Sequence, residues 1–248
     1  MVLVGESLES GTIQYTSRDG TSINAFYSRP AVPGSYPGVI VTMEGMGLME
    51  HHKDIARRFA GLGFLAIAPD LYSREGSPDP SNMDQIIKTL MSVPDSQAMD
   101  DLDGAAIHLK NQAHCNGKVG IIGFCSGGRY TLMMACQSSN IDAAVDSAGG
   151  NIVQDEVTPL RPVQPIDMVA NLSCPLLALF GIEDDNPTPD QAERMKALLD
   201  EHGKTYEWVM YENAGHAFFA DYRPSYRAAP AQDMWHRVLL FYDKYLNG

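Results

Sequence analysis

Short, almost wholly apolar runs alternate with amphipathic stretches along most of the chain, and this alternation constrains the fold more than any other feature. Gly38 to Met43, Phe64 to Ala68, Lys118 to Gly123, Ala143 to Ser147, Pro175 to Phe180 and Thr205 to Tyr211 each read as a strand buried on both faces. Between them, Glu50 to Leu62, Ala98 to Gln112, Gly127 to Cys136 and Pro189 to His202 read as helices. Tyr226 to Leu246 closes the chain as a helix with Trp235, Val238, Leu239, Tyr242 and Leu246 on one face. Strands that alternate with helices specify an α/β fold, a mostly parallel central sheet with helices on both faces. A hairpin is predicted before it, from Thr12 to Thr16 and Ile23 to Ser28 across the turn signal Arg18-Asp19-Gly20. Ligands of such sheets bind beyond the carboxyl ends of the strands. Two stretches depart from the pattern. Leu71 to Asp95, with one short apolar helix at Ile86 to Met91, is too long for a simple connection and is expected to form a lid or pocket wall; Gly149 to Asn171 is a second irregular stretch.

No composition break divides the 248 residues, so one domain over 1–248 is expected. The 31 acidic against 18 basic residues leave a net charge of -13, which argues against binding nucleic acid through its phosphates and favours a small-molecule substrate. No apolar run approaches the ~18 to 20 residues that cross a bilayer, and Met1 to Glu6 lacks the charged start of a signal peptide, so no membrane association and a cytoplasmic location are expected. Cys115, Cys125, Cys136 and Cys174, spaced by 10, 11 and 38, form neither a C-x-x-C pair nor a zinc pattern, and each is read as a thiol. The oligomeric state is left open.

The strongest chemical signal is Gly123-Phe124-Cys125-Ser126-Gly127-Gly128, where a buried strand passes into a helix within two or three residues. This is G-x-C-x-G, a nucleophile elbow with sulfur in place of oxygen. A thiolate there sits at a helix N-terminus, and the amide of Ser126 points toward an oxyanion forming beside the sulfur. A nucleophilic thiol needs a base, and the base an orienting acid. The order nucleophile, acid, histidine is filled by Glu183, Asp184 or Asp185, directly after the strand ending at Phe180, and by His216 after the strand ending at Tyr211.

Gly-Phe-Cys-Ser-Gly-Gly at 123–128, Gly-x-x-Asp at 181–184, Ala-Gly-His-x-Phe at 214–218, Pro69-Asp70-Leu71-Tyr72 and Asn116-Gly117-Lys118-Val119-Gly120 together resemble the dienelactone hydrolases (carboxymethylenebutenolidases), from about residue 12 onward. The resemblance implies a lidless or nearly lidless α/β-hydrolase fold and a hydrolase of esters or lactones that needs no metal and no organic cofactor. It selects Asp184 as the triad acid, implies that the Gly45 amide completes the oxyanion hole with Ser126, and implies that Glu44 contacts the resting Cys125 thiol. Members of the family bind a substrate carboxylate with two arginines. Here Asp79 to Leu90 offers only Lys88, and Ala220 stands at the second place, so Arg74, Lys88 and Arg223 are the candidate substrate-binding residues. The stretch Ser147 to Leu172 is longer than the family pattern and implies a reshaped pocket.

Other histidines are expected to be structural. His51 and His52, adjacent on a helix and so about 100° apart, are placed at the solvent or the pocket rim rather than on a metal; His108, His114, His202 and His236 lie in helices or at their ends. Two further readings use the same scaffold: an acyltransferase, and a non-catalytic ligand-binding or redox-sensing protein in which Cys125 is merely oxidisable.

Overall fold

In the computed structural model, which describes residues 7–154 and 156–247, eight strands form one sheet. They are β1 (Leu8–Thr16), β2 (Ser22–Pro30), β3 (Tyr36–Thr42), β4 (Leu65–Pro69), β5 (Cys115–Phe124), β6 (Ala143–Ser147), β7 (Leu176–Gly181) and β8 (Tyr206–Tyr211), in the spatial order β1-β2-β4-β3-β5-β6-β7-β8. β1 pairs antiparallel with β2, and β2 antiparallel with β4; every pairing from β4 across to β8 is parallel. The helices are α1 (Glu50–Gly61), α2 (Met83–Ser92), α3 (Asp95–Lys110), α4 (Ser126–Gln137), α5 (Pro189–Glu201) and α6 (Ala228–Leu246). The opening segment Met1 to Glu6 lies outside the described residues.

Successive side chains of a strand point to opposite faces, and the core divides accordingly. Ile40 and Ile121 join an apolar cluster with Leu102 and Leu109 of α3, Leu132 of α4 and Leu199 of α5. Their neighbours Val39, Val41 and Ile122 join a second cluster with Ile55 and Phe59 of α1 and Val238 and Phe241 of α6. Burial on both sides is why these strands read as unbroken apolar runs. No helix among the described residues is long and apolar enough to cross a membrane.

The irregular stretches hold more order than periodicity predicts. α2 begins at Met83 because Asn82 accepts the Gln85 amide at 3.1 Å and caps the first turn. α3 begins at Asp95, directly after Pro94. Within 149–171 a 3-10 helix, Pro165–Asn171, buries Ile166 and Val169; it lacks the length for a helical period to register in the sequence.

Candidate active site

The carboxyl ends of β3, β5, β7 and β8 carry Glu44, Cys125, Asp184 and His216 respectively to one edge of the sheet. Cys125 stands between Phe124, the last residue of β5, and Ser126, the first of α4, with φ 55° and ψ -121°. A left-handed non-glycine residue is strained, and its surroundings must hold it there. They do so through the backbone: the Cys125 amide donates to Ser147 O at 3.3 Å, and the Cys125 carbonyl accepts from Gly150 at 3.1 Å and Arg129 at 3.2 Å. The turn also requires its glycines, since a Cβ on Gly127 would lie 2.5 Å from the carbonyl oxygen of Thr42 and one on Gly123 would lie 2.0 Å from that of Gly127.

Of the three candidate acids, Asp184 is the one that meets the histidine. Both of its carboxylate oxygens lie 3.1 Å from His216 Nδ1, its side chain is fully buried, and its Oδ1 also accepts the Asn186 amide at 2.9 Å. Glu183 and Asp185 are exposed. Burial alone would lower the His216 pKa, but hydrogen bonds to Asp184 and to Cys125, with the negative charge available on each, push it up to about 10. With Nδ1 committed to Asp184, Nε2 is the nitrogen left for the sulfur.

The segment after β3 is held from three sides. His52, wholly buried, places Nε2 3.2 Å from the Glu44 amide and Nδ1 3.2 Å from the Met49 amide; a neutral ring accepts at one of these positions at a time. Burial pushes its pKa down to about 4, so the ring is neutral. Tyr72 donates its hydroxyl to Gly45 O at 2.8 Å. The buried Glu44 carboxylate is ion-paired with Arg223 and accepts the Tyr222 hydroxyl at 3.2 Å. A Cβ on Gly45 would lie 3.9 Å from Ser126 Oγ, 3.3 Å from Leu90 Cδ2 and 3.7 Å from Ile86 Cγ2. Gly45 and Ser126 therefore face each other, with the inner side of α2 as a wall beside them.

Several expectations change. Glu44 finds its partner in Arg223 rather than in the thiol, because a buried carboxylate gains most from an opposite charge. Arg74 is occupied by a two-pronged pair with Asp101 at 2.7 and 3.0 Å and a further bond to Asp19 at 2.8 Å. Lys88 is exposed on α2. Arg223 does border the site, its Nε donating to the Tyr222 hydroxyl at 3.2 Å. His52 is wholly buried rather than at a rim, whereas His51 is partly buried at the edge of a pocket with Arg58, Phe219 and Asp221 and packs edge-on against Phe124, Phe219 and Tyr222. Tyr72, Tyr222 and His52 escape a reading of the sequence, although Tyr72 lies inside the Pro69–Tyr72 segment and Tyr222 adjoins Arg223. Among the described residues, no group of three or more His, Cys, Asp or Glu side chains is arranged to hold a metal ion.

A parallel sheet of this strand order, with a strained strand-to-helix turn after β5 and a histidine and carboxylate on the loops after β8 and β7, defines an α/β-hydrolase. The model of the dienelactone hydrolase family matches residues 23–246. A protein of Methylorubrum extorquens named "Putative carboxymethylenebutenolidase" is 41% identical over 241 residues, covering 96% of this chain and 82% of its own. A protein of Bradyrhizobium sp named "Probable 2-oxo-3-(5-oxofuran-2-ylidene)propanoate lactonase" is 35% identical over 234 residues, 93% of this chain and 92% of that one. The crystal structure of a protein named "Putative Dienelactone Hydrolase" from Klebsiella pneumoniae superposes with a TM-score of 0.88 at 36% identity, covering 97% of this chain and all of the other. The chain belongs to the dienelactone hydrolase family and is a hydrolase of the carboxylic-ester and lactone class.

Proposed function

We propose that the protein hydrolyses small carboxylic esters and lactones through a thioester on Cys125, with His216 as the proton carrier and Asp184 as its orienting partner. One observation carries this reading: both oxygens of a buried carboxylate lie 3.1 Å from Nδ1 of an imidazole that the loop after β8 brings to the same sheet edge as the strained Cys125. His216 takes the thiol proton, and the thiolate attacks the carbonyl carbon. The amides of Gly45 and Ser126 receive the oxyanion. When the adduct collapses, the C–O bond breaks and the imidazolium protonates the departing oxygen. Water, deprotonated by the same imidazole, then attacks the thioester; the C–S bond breaks, the acid leaves, and the thiolate recovers its proton.

Thiolate leaves a tetrahedral adduct readily, so enol lactones, activated esters and thioesters suit the site better than amides. The lactonase name of the Bradyrhizobium relative supports the lactone part of this reading. Glu44 and Arg223 serve the site as a pair: they bind the segment after His216 to the segment carrying Gly45, and so hold base and oxyanion amide in register. The four free thiols fit a reducing compartment, which supports a cytoplasmic site of action.

Rapid quenching with an activated aryl ester, followed by mass measurement of the intact chain and its peptides, should find one acyl group on Cys125. Cys125→Ala and His216→Ala should each lower hydrolysis ~10³-fold or more. Wild-type rates in Cys125→Ala, or an acyl group elsewhere, would remove the mechanism.

A further inference from the structure

Just after β3 the chain makes a tight turn over Glu44-Gly45-Met46-Gly47, closed by the Gly47 amide, which donates to Glu44 O at 3.0 Å. Neither Gly45 nor Met46 has a positive φ, so this is a type I turn with both central residues right-handed. Successive right-handed residues point their amides the same way, as in the first turn of a helix. Both amides are open: among the described residues, neither Gly45 N nor Met46 N donates to another protein group.

The turn is secure at its ends and loose in its middle. Glu44 is ion-paired with Arg223, and its amide faces His52 Nε2 at 3.2 Å. Gly47 is fixed by the closing bond. The peptide between Gly45 and Met46 is free of both restraints, because type I and type II turns differ in the orientation of that peptide alone and keep the same ends. Turning it over requires a positive φ at Met46, which is uncommon rather than forbidden. The two orientations are opposite in their electrostatics. As observed, the Met46 amide shares the side of the Gly45 amide; turned over, the Gly45 carbonyl oxygen would take its place and set the negative end of a dipole beside a developing oxyanion.

One side chain holds this peptide. Tyr72, 3% exposed, arrives on the loop after β4 and donates its hydroxyl to Gly45 O at 2.8 Å, the one bond that oxygen accepts among the described residues. Without it, a buried carbonyl would be left unsatisfied. The ring also lies against the turn, since a Cβ on Gly47 would be 3.4 Å from Tyr72 Cδ2. Burial raises the Tyr72 pKa, so the phenol keeps its proton and stays a donor. Its own loop is tied down in turn: the Tyr72 amide donates to Asp70 Oδ1 at 3.1 Å, and Tyr72 O accepts the Gly76 amide at 2.7 Å.

We infer that Tyr72 is a positioning residue for the oxyanion site: its hydroxyl holds the peptide between Gly45 and Met46 with the amide, and not the carbonyl, on the side of the Gly45 amide. The inference rests on the hydrolytic reading above and adds to it a residue outside the triad that acts through the backbone.

The test sets two reactions of one sulfur side by side, in the wild type and in Tyr72→Phe, which keeps the ring and deletes the hydroxyl. With 4-nitrophenyl acetate, both acylation of Cys125 and its release pass through a tetrahedral oxyanion. Iodoacetamide alkylates the same sulfur by displacing iodide from a saturated carbon and uses no oxyanion site. Tyr72→Phe should lower kcat for the ester ~10-fold or more with KM changed by less than about twofold. The alkylation rate, followed by mass on the Cys125 peptide, should stay within about twofold of the wild type, which also shows that the variant is folded around its thiol. An undiminished kcat would overturn the positioning role. So would a fall in both rates together, which would make Tyr72 a support of the Cys125 turn, or a loss in KM alone, which would place the hydroxyl on the substrate. Failure of the wild type to acylate Cys125 with the ester while iodoacetamide still alkylates it would instead overturn the hydrolytic reading.

Discussion

Asp184 and His216 give the site its most measurable property. The imidazole is held as a cation far above its usual 6.5, to about 10, despite burial that works the other way. Once it has taken the thiol proton, an imidazolium held this firmly is ready to protonate a leaving oxygen, so kcat/KM should fall as the imidazolium is lost near pH 10. Asp184→Asn removes the negative partner; its basic limb should move down toward the ordinary histidine range, with kcat/KM reduced ~10²- to 10⁴-fold. An unmoved limb would mean that the carboxylate does not set the titration. For stability the sign follows from the upward shift: the folded protein holds this proton more tightly than the unfolded chain, so the contribution is complete below about 6.5 and disappears as pH rises through about 10. The proposed roles of Cys125 and His216 rest on strand ends and short motifs that can be read in the sequence, whereas strand position left Glu183, Asp184 and Asp185 equivalent and only the family resemblance pointed to Asp184. Glu44 was legible in its place but not in its partner. Arg223 is 179 residues away from it, and nothing local in either segment records that they meet. The role of His52 escaped for the same reason: its partners are the backbone amides of Glu44 and Met49, which leave no pattern in a sequence.

At the scale of elements, the loops after β7 and β8 must cross closely for Asp184 and His216 to touch. They do so at Gly181. A Cβ there would lie 2.2 Å from Ala214 O and 2.6 Å from its carbonyl carbon, both rigid backbone, while the Glu183 amide already donates to that oxygen at 2.9 Å. Gly181→Ala should therefore cost about 1–3 kcal/mol in a urea melt and lower kcat/KM at least tenfold by separating the two loops. A variant that kept full activity would place the catalytic contact elsewhere. The strands were legible because burial on both faces leaves continuous apolar runs, and the longer helices because one apolar stripe recurs with the helical period. α2 is the instructive case. Ile86 and Leu90 face Gly45, whereas Met83, Ile87 and Met91 are exposed on another side, so its apolar residues mark a helix without telling which face covers the site. The cap at Asn82 sets its beginning through a side chain that periodicity does not count.

Across the whole molecule, the sheet that brings the site together also buries a carboxyl with no counter-charge. Asp146 lies on β6, fully buried behind the Cys125 turn; its Oδ1 accepts the Gly149 amide at 2.9 Å, and its Oδ2 has no partner among the described residues. Burial pushes its pKa from 3.8 to about 7, outweighing the Gly149 bond. Most shifted acids of this chain act in the opposite sense: Asp142 is held low, despite burial, by the Val119 amide and by Lys118 and Lys110, and so stabilises the fold once the pH is above the ordinary carboxylate range. Asp146 is stabilising only while protonated, in full below about 3.8, with its contribution lost as pH rises through about 7. The response to pH is thus a contest between acids that favour the folded state when charged and three, Asp70, Asp101 and Asp146, whose burial favours the neutral form. Asp146→Asn isolates the last of these, since the amide retains an acceptor for Gly149 and cannot ionise. Its stability relative to the wild type should rise with pH at up to about 1.4 kcal/mol per unit between roughly pH 4 and 7, then level off. Denaturant melts of both proteins at pH 5 and pH 8 measure this directly: parallel curves would mean that Asp146 ionises in the folded protein as it does in the unfolded chain, and a variant weaker at pH 8 would mean that the ionised carboxylate is a supporting part of the Cys125 turn.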